Sequence, residues 1–367
     1  MDDRQWMTEA LRLAELGRAT VSPNPMVGAV VLDATGEAVG RGWHQRAGEP
    51  HAEILALREA GGRAAGGSLY VTLEPCCHYG RTPPCTRAII DAGLRRVVVA
   101  AMDPNPLVAG RGIAELRSAG VEVEVGLLSG AARRQNEVFF TFMRERRPFV
   151  ALKAAMSLDG KVATVGGDSR WITSEPARER VYRLRSQYDA ILVGIGTVLA
   201  DDPLLTARVP GGQNPLRVVL DSRLRLPTAS RLAATAGEVA TLVMSGRGAD
   251  PARERALTRL GIEVHRAAGS RPEPGELLPL LAQREITSLL VEGGPEVAAA
   301  FVAAGCVDKF LFFVAPMLIG GRSAPGPVGG QGPELLRQAR PLVIETVEAV
   351  GADWLITAYP STRGEVD

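Results

Sequence analysis

Apolar runs and helically spaced apolar residues alternate along the first part of the chain. Continuous apolar runs predict buried strands at VGAVVL, SLYVTLEP and RRVVVAAM. Helical spacing predicts helices at HAEILALREAG, CTRAIIDAG and RGIAELRSAG, preceded by a first helix with Met7, Ala10, Leu11 and Ala14 on one side. VEVEVG predicts an edge strand. Strands that alternate with helices through short turns indicate a sheet covered by helices.

A second alternation begins after a helical connector, LSGAARRQNEVFFTFMRERR, which we expect to end at Pro148 because the residue before a proline disfavours helix. Strands are predicted at FVALKAAM, DAILVGI, PLRVVLD, ATLVMS, IEVHRA, KFLFFVAPMLIGG and WLITAYP, and helices at ARERVYRLRSQY and PARERALTRLG. The 367 residues suit two hydrophobic cores. We therefore predict two α/β domains, residues 1–147 with the connector and residues 148–367.

The composition limits the classes of molecule that the chain is expected to bind. With 46% hydrophobic and 23% charged residues and a net charge of +1, the chain has neither a disordered composition nor the basic surface of a nucleic-acid-binding protein. The longest apolar stretch, FLFFVAPMLIG, is shorter than the ~20 residues that span a bilayer, and the acidic start does not resemble a signal peptide. We expect small-molecule partners, no nucleic acid, no membrane and a cytoplasmic location.

Three of the four cysteines lie in the stretch EPCCHYGRTPPC, which follows the segment HAE. Imidazole and thiolate are zinc ligands, and a catalytic zinc keeps one position open by using three protein ligands. His51, Cys76 and Cys85 supply that number, each expected where a strand or loop gives way to a helix. Cys77 and His78 compete as ligands because they adjoin Cys76. Clustered cysteines suit a metal in a reducing compartment better than a disulfide framework.

The pattern H-x-E followed by P-C and a later Cys is the signature of the zinc nucleobase deaminases, in which the glutamate is the general acid/base. Glu53 has that position. Eight residues separate Cys76 from Cys85 instead of the usual two. With this insertion, HxGRTPPC, SPNPMVGAVV and GWHQRAGEPHAE resemble the deaminase of the riboflavin pathway. The resemblance implies a phosphoribosylated diaminopyrimidinone substrate, whose ring Asn24 helps to hold, and it favours the Cys that follows Glu-Pro as the ligand.

The second domain contains LVEGGPEVAAAFVAAG, in which a strand, two glycines and a proline precede a helix. Such a turn lets a phosphate approach free backbone N–H groups, although a turn made only for packing has the same appearance. Together with KAAMSLDGKVAT, GGDSRWITS, LVGIGTVLADDPLLTAR and VVLDSRLRLP, it resembles the reductase half of the bifunctional riboflavin biosynthesis family, whose fold is similar to dihydrofolate reductase. The expected architecture is therefore a cytidine-deaminase-like α/β/α domain followed by a dihydrofolate-reductase-like α/β domain.

This resemblance implies NADPH as the hydride donor to a ribosylamine and assigns residues to two sets. The cofactor set is Ala155, Trp171, Thr197, Asp201, Ser222, Gly294, Pro295, Glu296, Val297, Ala298, Ala299 and Ala300. The substrate set is Ser169, Arg185, Leu205, Arg208 and Glu292, of which Arg185 and Arg208 can hold a phosphate by paired hydrogen bonds. For Trp171, a buried anchor unrelated to the cofactor is equally consistent with its spacing. Lys153 and Asp159 are expected in the same cleft, and a homodimer or tetramer through this domain is expected from the family.

Two other functions compete with a bifunctional deaminase and reductase. One is a nucleobase or nucleic-acid deaminase with an accessory domain. The near-neutral charge of the chain argues against polynucleotide substrates. The other is a nucleotide-sensing protein with a structural zinc, which would need a fourth protein ligand such as Cys77 or His78. Cys306 and His265 are interpreted as structural.

Overall fold

The computed structural model describes residues 1–79 and 83–361. The chain forms two compact units, Met1–Arg146 and Arg147–Asp367. The boundary predicted from the sequence, between residues 147 and 148, lies one residue further along.

The first unit is a five-stranded sheet in the order β2-β1-β3-β4-β5. Its strands are β1 (Gly28–Leu32), β2 (Ala38–Trp43), β3 (Ser68–Leu73), β4 (Arg96–Ala101) and β5 (Glu122–Val125). Its helices are α1 (Asp3–Glu15), α2 (Ala52–Ala60), α3 (Cys85–Asp91), α4 (Arg111–Ser118), α5 (Ser129–Gln135) and α6 (Glu137–Glu145). Strand β1 pairs antiparallel with β2 and β3, whereas β3, β4 and β5 are parallel.

Strand β2 was not predicted, because its glycines are depleted in strands. The structure gives them a packing role. A Cβ at Gly40 would lie 2.0 Å from the Ala56 carbonyl oxygen, and one at Gly42 would lie 2.3 Å from that of Ala52. Helix α2 therefore rests directly on β2, which fixes the position of the helix start and of the residues around it.

The connector, predicted to be helical, forms two helices, α5 and α6, with Asn136 between them. Asn136 is buried, and its Oδ1 accepts from the Met26 N–H at 2.8 Å while its Nδ2 donates to the Met26 carbonyl at 2.8 Å. This amide pairs with the segment before β1 as a neighbouring strand would. The break in the helix thus holds the segment that contains Asn24.

The second unit is a nine-stranded sheet in the order β10-β9-β8-β7-β11-β6-β12-β14-β13. Its strands are β6 (Phe149–Ser157), β7 (Ala190–Gly194), β8 (Leu216–Leu220), β9 (Thr241–Ser245), β10 (Glu263–Arg266), β11 (Ser288–Gly293), β12 (Lys309–Ala315), β13 (Leu342–Val350) and β14 (Asp353–Pro360). Strands β6 to β12 are parallel, and β14 is antiparallel to β12 and β13.

The helices of the second unit are α7 (Glu175–Arg185), α8 (Ile195–Asp201), α9 (Arg231–Ala234), α10 (Pro251–Thr258), α11 (Pro274–Ala282) and α12 (Pro295–Ala303). Helices α8, α9 and α11 and strand β13 were not predicted. Alternate residues of β7 enter different clusters, Leu192 on one face and Ile191 and Val193 on the other. The parallel sheet is thus covered on both faces. Within the described part of the chain, each helix is too short or too polar to span a membrane.

Candidate active sites

The three predicted metal ligands of the first unit come together. His51 is the residue before α2, Cys85 is the first residue of α3, and Cys76 lies in the loop after β3. The expectation that each ligand lies where the chain enters a helix is wrong for Cys76, because it lies nine positions before the start of α3. The ligand atoms all lie within 4.8 Å of one another, with His51 Nδ1 at 3.2 Å from Cys85 Sγ and 3.5 Å from Cys76 Sγ.

These distances fit zinc. Tetrahedral zinc, with Zn–N of about 2.0 Å and Zn–S of about 2.3 Å, separates its nitrogen and sulfur ligands by about 3.5 Å. Neither Cys77 nor His78 belongs to the ligand group found among residues 1–79 and 83–361. The Cys77 thiol instead points to the Leu107 carbonyl oxygen, 3.9 Å away. The described residues therefore provide three ligands, the number that leaves a coordination position for water.

The thiols are prepared for a metal. The hydrogen bond from the Cys85 thiol, with further help from His51 and the Cys85 backbone N–H, lowers the pKa of Cys76. The pKa of Cys85 is raised, because its thiol donates to Cys76 and is buried. Zinc binds cysteine as the thiolate, so metal binding would displace the proton of the hydrogen bond between Cys85 and Cys76.

Glu53 lies in the first turn of α2 and is only 3% exposed. Burial raises the pKa of its carboxyl group to about 7, a rise that the charge of His51 opposes and that of Cys76 increases. A buried carboxyl group whose pKa is raised suits the role of a general acid/base. Its place beside the ligands, outside the ligand group, suits a proton carrier.

Asn24 reaches this site through His44. Asn24 Nδ2 lies 3.0 Å from His44 Nε2, and His44 Nδ1 lies 3.3 Å from the Pro50 carbonyl oxygen. Because a carbonyl can only accept, Nδ1 carries the proton and Nε2 accepts from Asn24. Burial lowers the pKa of His44, in agreement with a neutral ring, and the ring meets that of His51 edge-on at 5.4 Å between centroids.

Sequence reasoning did not single out His44, since nothing in its local pattern separates it from an ordinary histidine. The motif residues Gly80, Arg81 and Thr82 lie outside the described residues.

In the second unit, the residues assigned to the cofactor lie near the carboxyl ends of parallel strands, where open α/β sheets bind ligands. Gly294 follows β11 with φ at +79°, and the residues from Pro295 to Ala300 form the first turns of α12. Thr197 in α8 lies against this turn, because a Cβ added at Gly293 would be 2.9 Å from Thr197 Oγ1. Ser222 follows β8, and Ala155 lies near the end of β6. These strand ends present one edge of the sheet.

Asp201, at the end of α8, lies beside the segment that precedes Trp171. Its Oδ1 is 3.5 Å from Ser169 Oγ and 3.5 Å from Arg170 Nε. The indole of Trp171 is 66% exposed, with Arg178 Cζ 4.5 Å from its ring centroid. The buried-anchor interpretation of Trp171 is therefore wrong, because the residue is exposed and Arg178 covers one face of its ring.

The substrate set divides by burial. Arg185 is buried and donates from Nε and Nη2 to the two carboxylate oxygens of Glu292 at 2.8 and 2.9 Å. Lys153 Nζ lies 4.0 Å from the same carboxylate. Arg208 is exposed, donates from Nη1 to Tyr182 Oη at 3.0 Å and stacks over that ring. The paired donors of Arg185 are occupied by a protein carboxylate, whereas Arg208 presents its guanidinium to solvent.

Two further predicted residues have roles in the framework. The Leu205 side chain is 2% exposed and belongs to the core, so only its backbone can contact a ligand. Asp159 accepts from Ser157 Oγ at 2.6 Å and from the N–H groups of Ile319 and Gly320 at 3.1 and 2.7 Å. These hydrogen bonds lower the pKa of Asp159 to about 2 and tie the turn after β6 to the segment after β12.

Comparison with family models assigns both units. Residues 1–101 match the cytidine and deoxycytidylate deaminase zinc-binding region, and residues 148–356 match the RibD C-terminal domain. The match to the zinc-binding region agrees with the three-ligand site, and the two matches together confirm the predicted order of a deaminase-like and a reductase-like fold.

Full-length relatives and solved structures agree. The riboflavin biosynthesis protein RibD of Bacillus amyloliquefaciens is 45% identical over 100% of this chain and 98% of its own length. The protein of the same name from Escherichia coli is 42% identical over 96% of this chain and 98% of its own.

The structure of a diaminohydroxyphosphoribosylaminopyrimidine deaminase/5-amino-6-(5-phosphoribosylamino)uracil reductase from Thermotoga maritima has a TM-score of 0.86 and 35% identity, and covers 98% of each chain. Acinetobacter baumannii RibD has a TM-score of 0.86 and 37% identity, and covers 98% of this chain and 99% of its own. The chain therefore belongs to the RibD family of riboflavin biosynthesis proteins, bifunctional enzymes that combine a deaminase domain with a reductase domain.

Proposed function

We propose that residues 1–147 hydrolytically deaminate 2,5-diamino-6-(5-phosphoribosylamino)pyrimidin-4-one and that residues 148–367 then reduce the ribosyl group of the product to ribityl with NADPH. The names of the two substrates come from the Thermotoga maritima relative. The observation that carries the proposal is the group of three ligands beside the buried carboxyl group of Glu53. Three ligands leave a coordination position for water, and the carboxyl group can move that water's proton.

For deamination, His51, Cys76 and Cys85 would hold zinc, which when bound would lower the pKa of a water towards neutrality. Glu53 takes a proton from the attacking water on a carboxylate oxygen and delivers it to the departing amine. Asn24, oriented by His44, donates or accepts at the edge of the pyrimidine ring. A neutral His44 keeps the geometry of this amide fixed, because its Nε2 must accept from Asn24.

For reduction, NADPH when bound would supply a hydride to C1 of the ribosylamine, while the C1–O bond of the ribose ring opens and the released oxygen takes a proton from solvent to become a hydroxyl group. The turn from Gly294 to Ala300 offers N–H groups of the α12 start to a cofactor phosphate, with Thr197 beside the turn. The remaining cofactor contacts are assigned to Ala155, Trp171, Asp201 and Ser222. Arg208 binds the substrate phosphate, and Ser169, the backbone of Leu205 and the Arg185–Glu292 pair complete the substrate site.

We further propose that the enzyme is a homo-oligomer. Strand β13 is the outermost strand of its sheet, and seven of its nine residues are exposed, including Val343, Ile344 and Val347. Trp354 of the adjacent β14 is 50% exposed. An edge strand with exposed apolar side chains is a template for pairing with another chain. The cytoplasmic location expected from the cysteine pattern remains a prediction.

A coupled assay tests the proposed function. Purified protein is supplied with the diaminopyrimidinone ribosylamine phosphate, and ammonia release and NADPH absorbance are followed with and without a zinc chelator. We expect ammonia first, NADPH consumption afterwards, and loss of both after chelation. With the deaminated substrate supplied directly, NADPH consumption should resist the chelator. Bound zinc with neither signal would contradict the proposal and favour a structural metal.

A further inference from the structure

Glu74 is a buried carboxylate that the proposed chemistry does not use. It follows β3 directly, stands two residues before the ligand Cys76, and is 3% exposed. All four hydrogen bonds to its carboxylate come from backbone N–H groups. Oε2 accepts from Asp103 at 3.2 Å and Gly110 at 2.9 Å, and Oε1 accepts from Gly112 at 3.0 Å and Ile113 at 3.3 Å.

These four donors belong to one segment. Asp103 lies at the start of the loop that follows β4, Gly110 ends that loop, and Gly112 and Ile113 are in the first turn of α4. A single side chain therefore closes the loop at both ends. A carboxylate has about four acceptor positions, so the donors use its full capacity. Glu74 has none left for a substrate or a proton relay.

The loop that Glu74 holds runs beside the segment that carries the ligand Cys76. The Leu107 carbonyl at its centre lies 3.9 Å from the thiol of Cys77, the neighbour of Cys76. A Cβ added at Gly112 would lie 2.1 Å from the Pro75 carbonyl oxygen, so the start of α4 touches the backbone between Glu74 and Cys76. The loop and the ligand-bearing segment are thus packed together, with the carboxylate as their common anchor.

We propose that Glu74 is a positioning residue for deamination, which holds residues 102–110 as a fixed wall of the metal site and thereby sets the affinity for the pyrimidine substrate. The inference rests on the proposed deaminase function. Charge-assisted hydrogen bonds from backbone N–H groups are stronger than neutral ones, which gives a carboxylate an advantage over an amide of the same shape. The loop therefore depends on the charge and on both oxygens.

The substitution Glu74→Gln separates positioning from metal binding. Its amide NH₂ replaces one oxygen, so two backbone N–H groups lose their acceptor and face another donor. In the full-length, zinc-loaded protein we expect one zinc per chain and unchanged reduction of the deaminated substrate. The KM for ammonia release should rise about tenfold or more, which corresponds to at least about 1.4 kcal/mol, while kcat changes less. Glu74→Asp keeps both oxygens and should recover part of the loss.

Glu122→Gln, an exposed position on β5 of the same unit, is the matched control and should behave as the wild type. Hydrogen exchange gives a second measurement: Glu74→Gln or, where that variant does not fold, Glu74→Asp should expose the amides of residues 103–113 and leave α2 protected. Unchanged KM and kcat in Glu74→Gln, or activity lost only in proportion to zinc, would overturn the inference. No ammonia from the zinc-loaded wild type would overturn the proposed function itself.

Discussion

The guanidinium of Arg185 and the carboxylate of Glu292 form a two-pronged ion pair, with N···O distances of 2.8 and 2.9 Å, inside the second unit. Lys153 adds a second cation at 4.0 Å. Burial alone raises the pKa of Glu292, but the charge and hydrogen bonds of Arg185, aided by Lys153, lower it overall. Both residues were expected to contact substrate. In the structure, the Nε and Nη2 donors of Arg185 bind the carboxylate of Glu292 instead.

The substitution Glu292→Gln should lower the stability of the second unit mainly by breaking this ion pair. Without the carboxylate charge, two buried cations lose their counter-ion, and breaking a buried pair from one side costs about 3–5 kcal/mol. We expect the free energy of unfolding of the second unit to fall by that amount in denaturant titrations. Glu263→Gln, which removes the half-exposed partner of Arg284, is the control and should cost at most about 1 kcal/mol. Equal losses would contradict the assigned importance of burial.

The same pair gives the sign of a pH effect. The pKa of Glu292 is lower in the folded state than the ordinary value of about 4.3 expected after unfolding. Its stabilising contribution is therefore complete above that value and is lost as the pH falls through the folded pKa. Acid unfolding followed by circular dichroism should show a weaker dependence on pH in this range for Glu292→Gln than for the wild type.

Sequence patterns predicted what depends on local periodicity or on ligand chemistry. Strands β1, β3 and β4 are apolar runs, and His51, Cys76 and Cys85 carry donor atoms that few other roles require. Strand β2 was not predicted, because its glycines are there to let α2 pack closely against it, and the local sequence does not report that contact. The Arg185–Glu292 pair joins residues 107 positions apart, and no periodicity reports such a distance.

The contacts of polar residues with partners far along the chain were not predicted for the same reason. Asn136 is a helix residue by pattern, yet it pairs with Met26, 110 positions away, and breaks the connector. The sequence pattern places Glu74 at the end of a strand, but the N–H groups that donate to its carboxylate follow the next strand, β4. Local sequence fixes which groups are available, whereas the fold decides which of them meet.

Arg208 should carry the recognition of the substrate phosphate. We expect Arg208→Met to raise the KM of the reductase for the phosphorylated substrate about 10- to 100-fold, the range of about 1.5–3 kcal/mol for a hydrogen bond to a charged group. The KM for NADPH should not change. Arg183→Met, on the exposed face of α7, is the control. A dephosphorylated substrate should be turned over equally by Arg208→Met and the wild type, and an equal loss with both substrates would contradict the assignment.

Glu53 should be required for proton transfer but not for the metal. We expect Glu53→Ala to lower kcat for ammonia release about 10²- to 10⁴-fold, the usual contribution of a general acid/base. Zinc content should stay at one per chain, because the three ligands are unchanged. Glu37→Ala, at an exposed position of the same unit, controls for loss of a carboxylate and should keep full activity. Retained deamination in Glu53→Ala would remove this residue from the mechanism.

Gly294 should separate the two activities. Its φ of +79° lies in the left-handed region, which a β-branched side chain adopts only with strain, and the added atoms would approach Thr197. We expect Gly294→Val to abolish NADPH oxidation and leave ammonia release intact. Gly261→Val places the same strain at φ of +86° in the turn after α10, outside the cofactor turn, and should keep NADPH oxidation. Loss of both activities in Gly294→Val would show that the units do not function separately.

The exposed edge of β13 predicts the behaviour of the chain in solution. A lysine among apolar residues of an edge strand opposes pairing, because its charge would be buried between two chains without a partner. We therefore expect Val347→Lys to shift the protein from an oligomer to a monomer in analytical ultracentrifugation at micromolar concentration, with ammonia release retained. Val125→Lys changes a 40% exposed valine on the edge strand of the other sheet and should leave the oligomer intact. A wild-type protein that is already monomeric would contradict the proposed oligomer. A Val347→Lys variant that stays oligomeric would show that the subunits meet through a surface other than β13, because a buried, unpaired charge would weaken pairing at this edge.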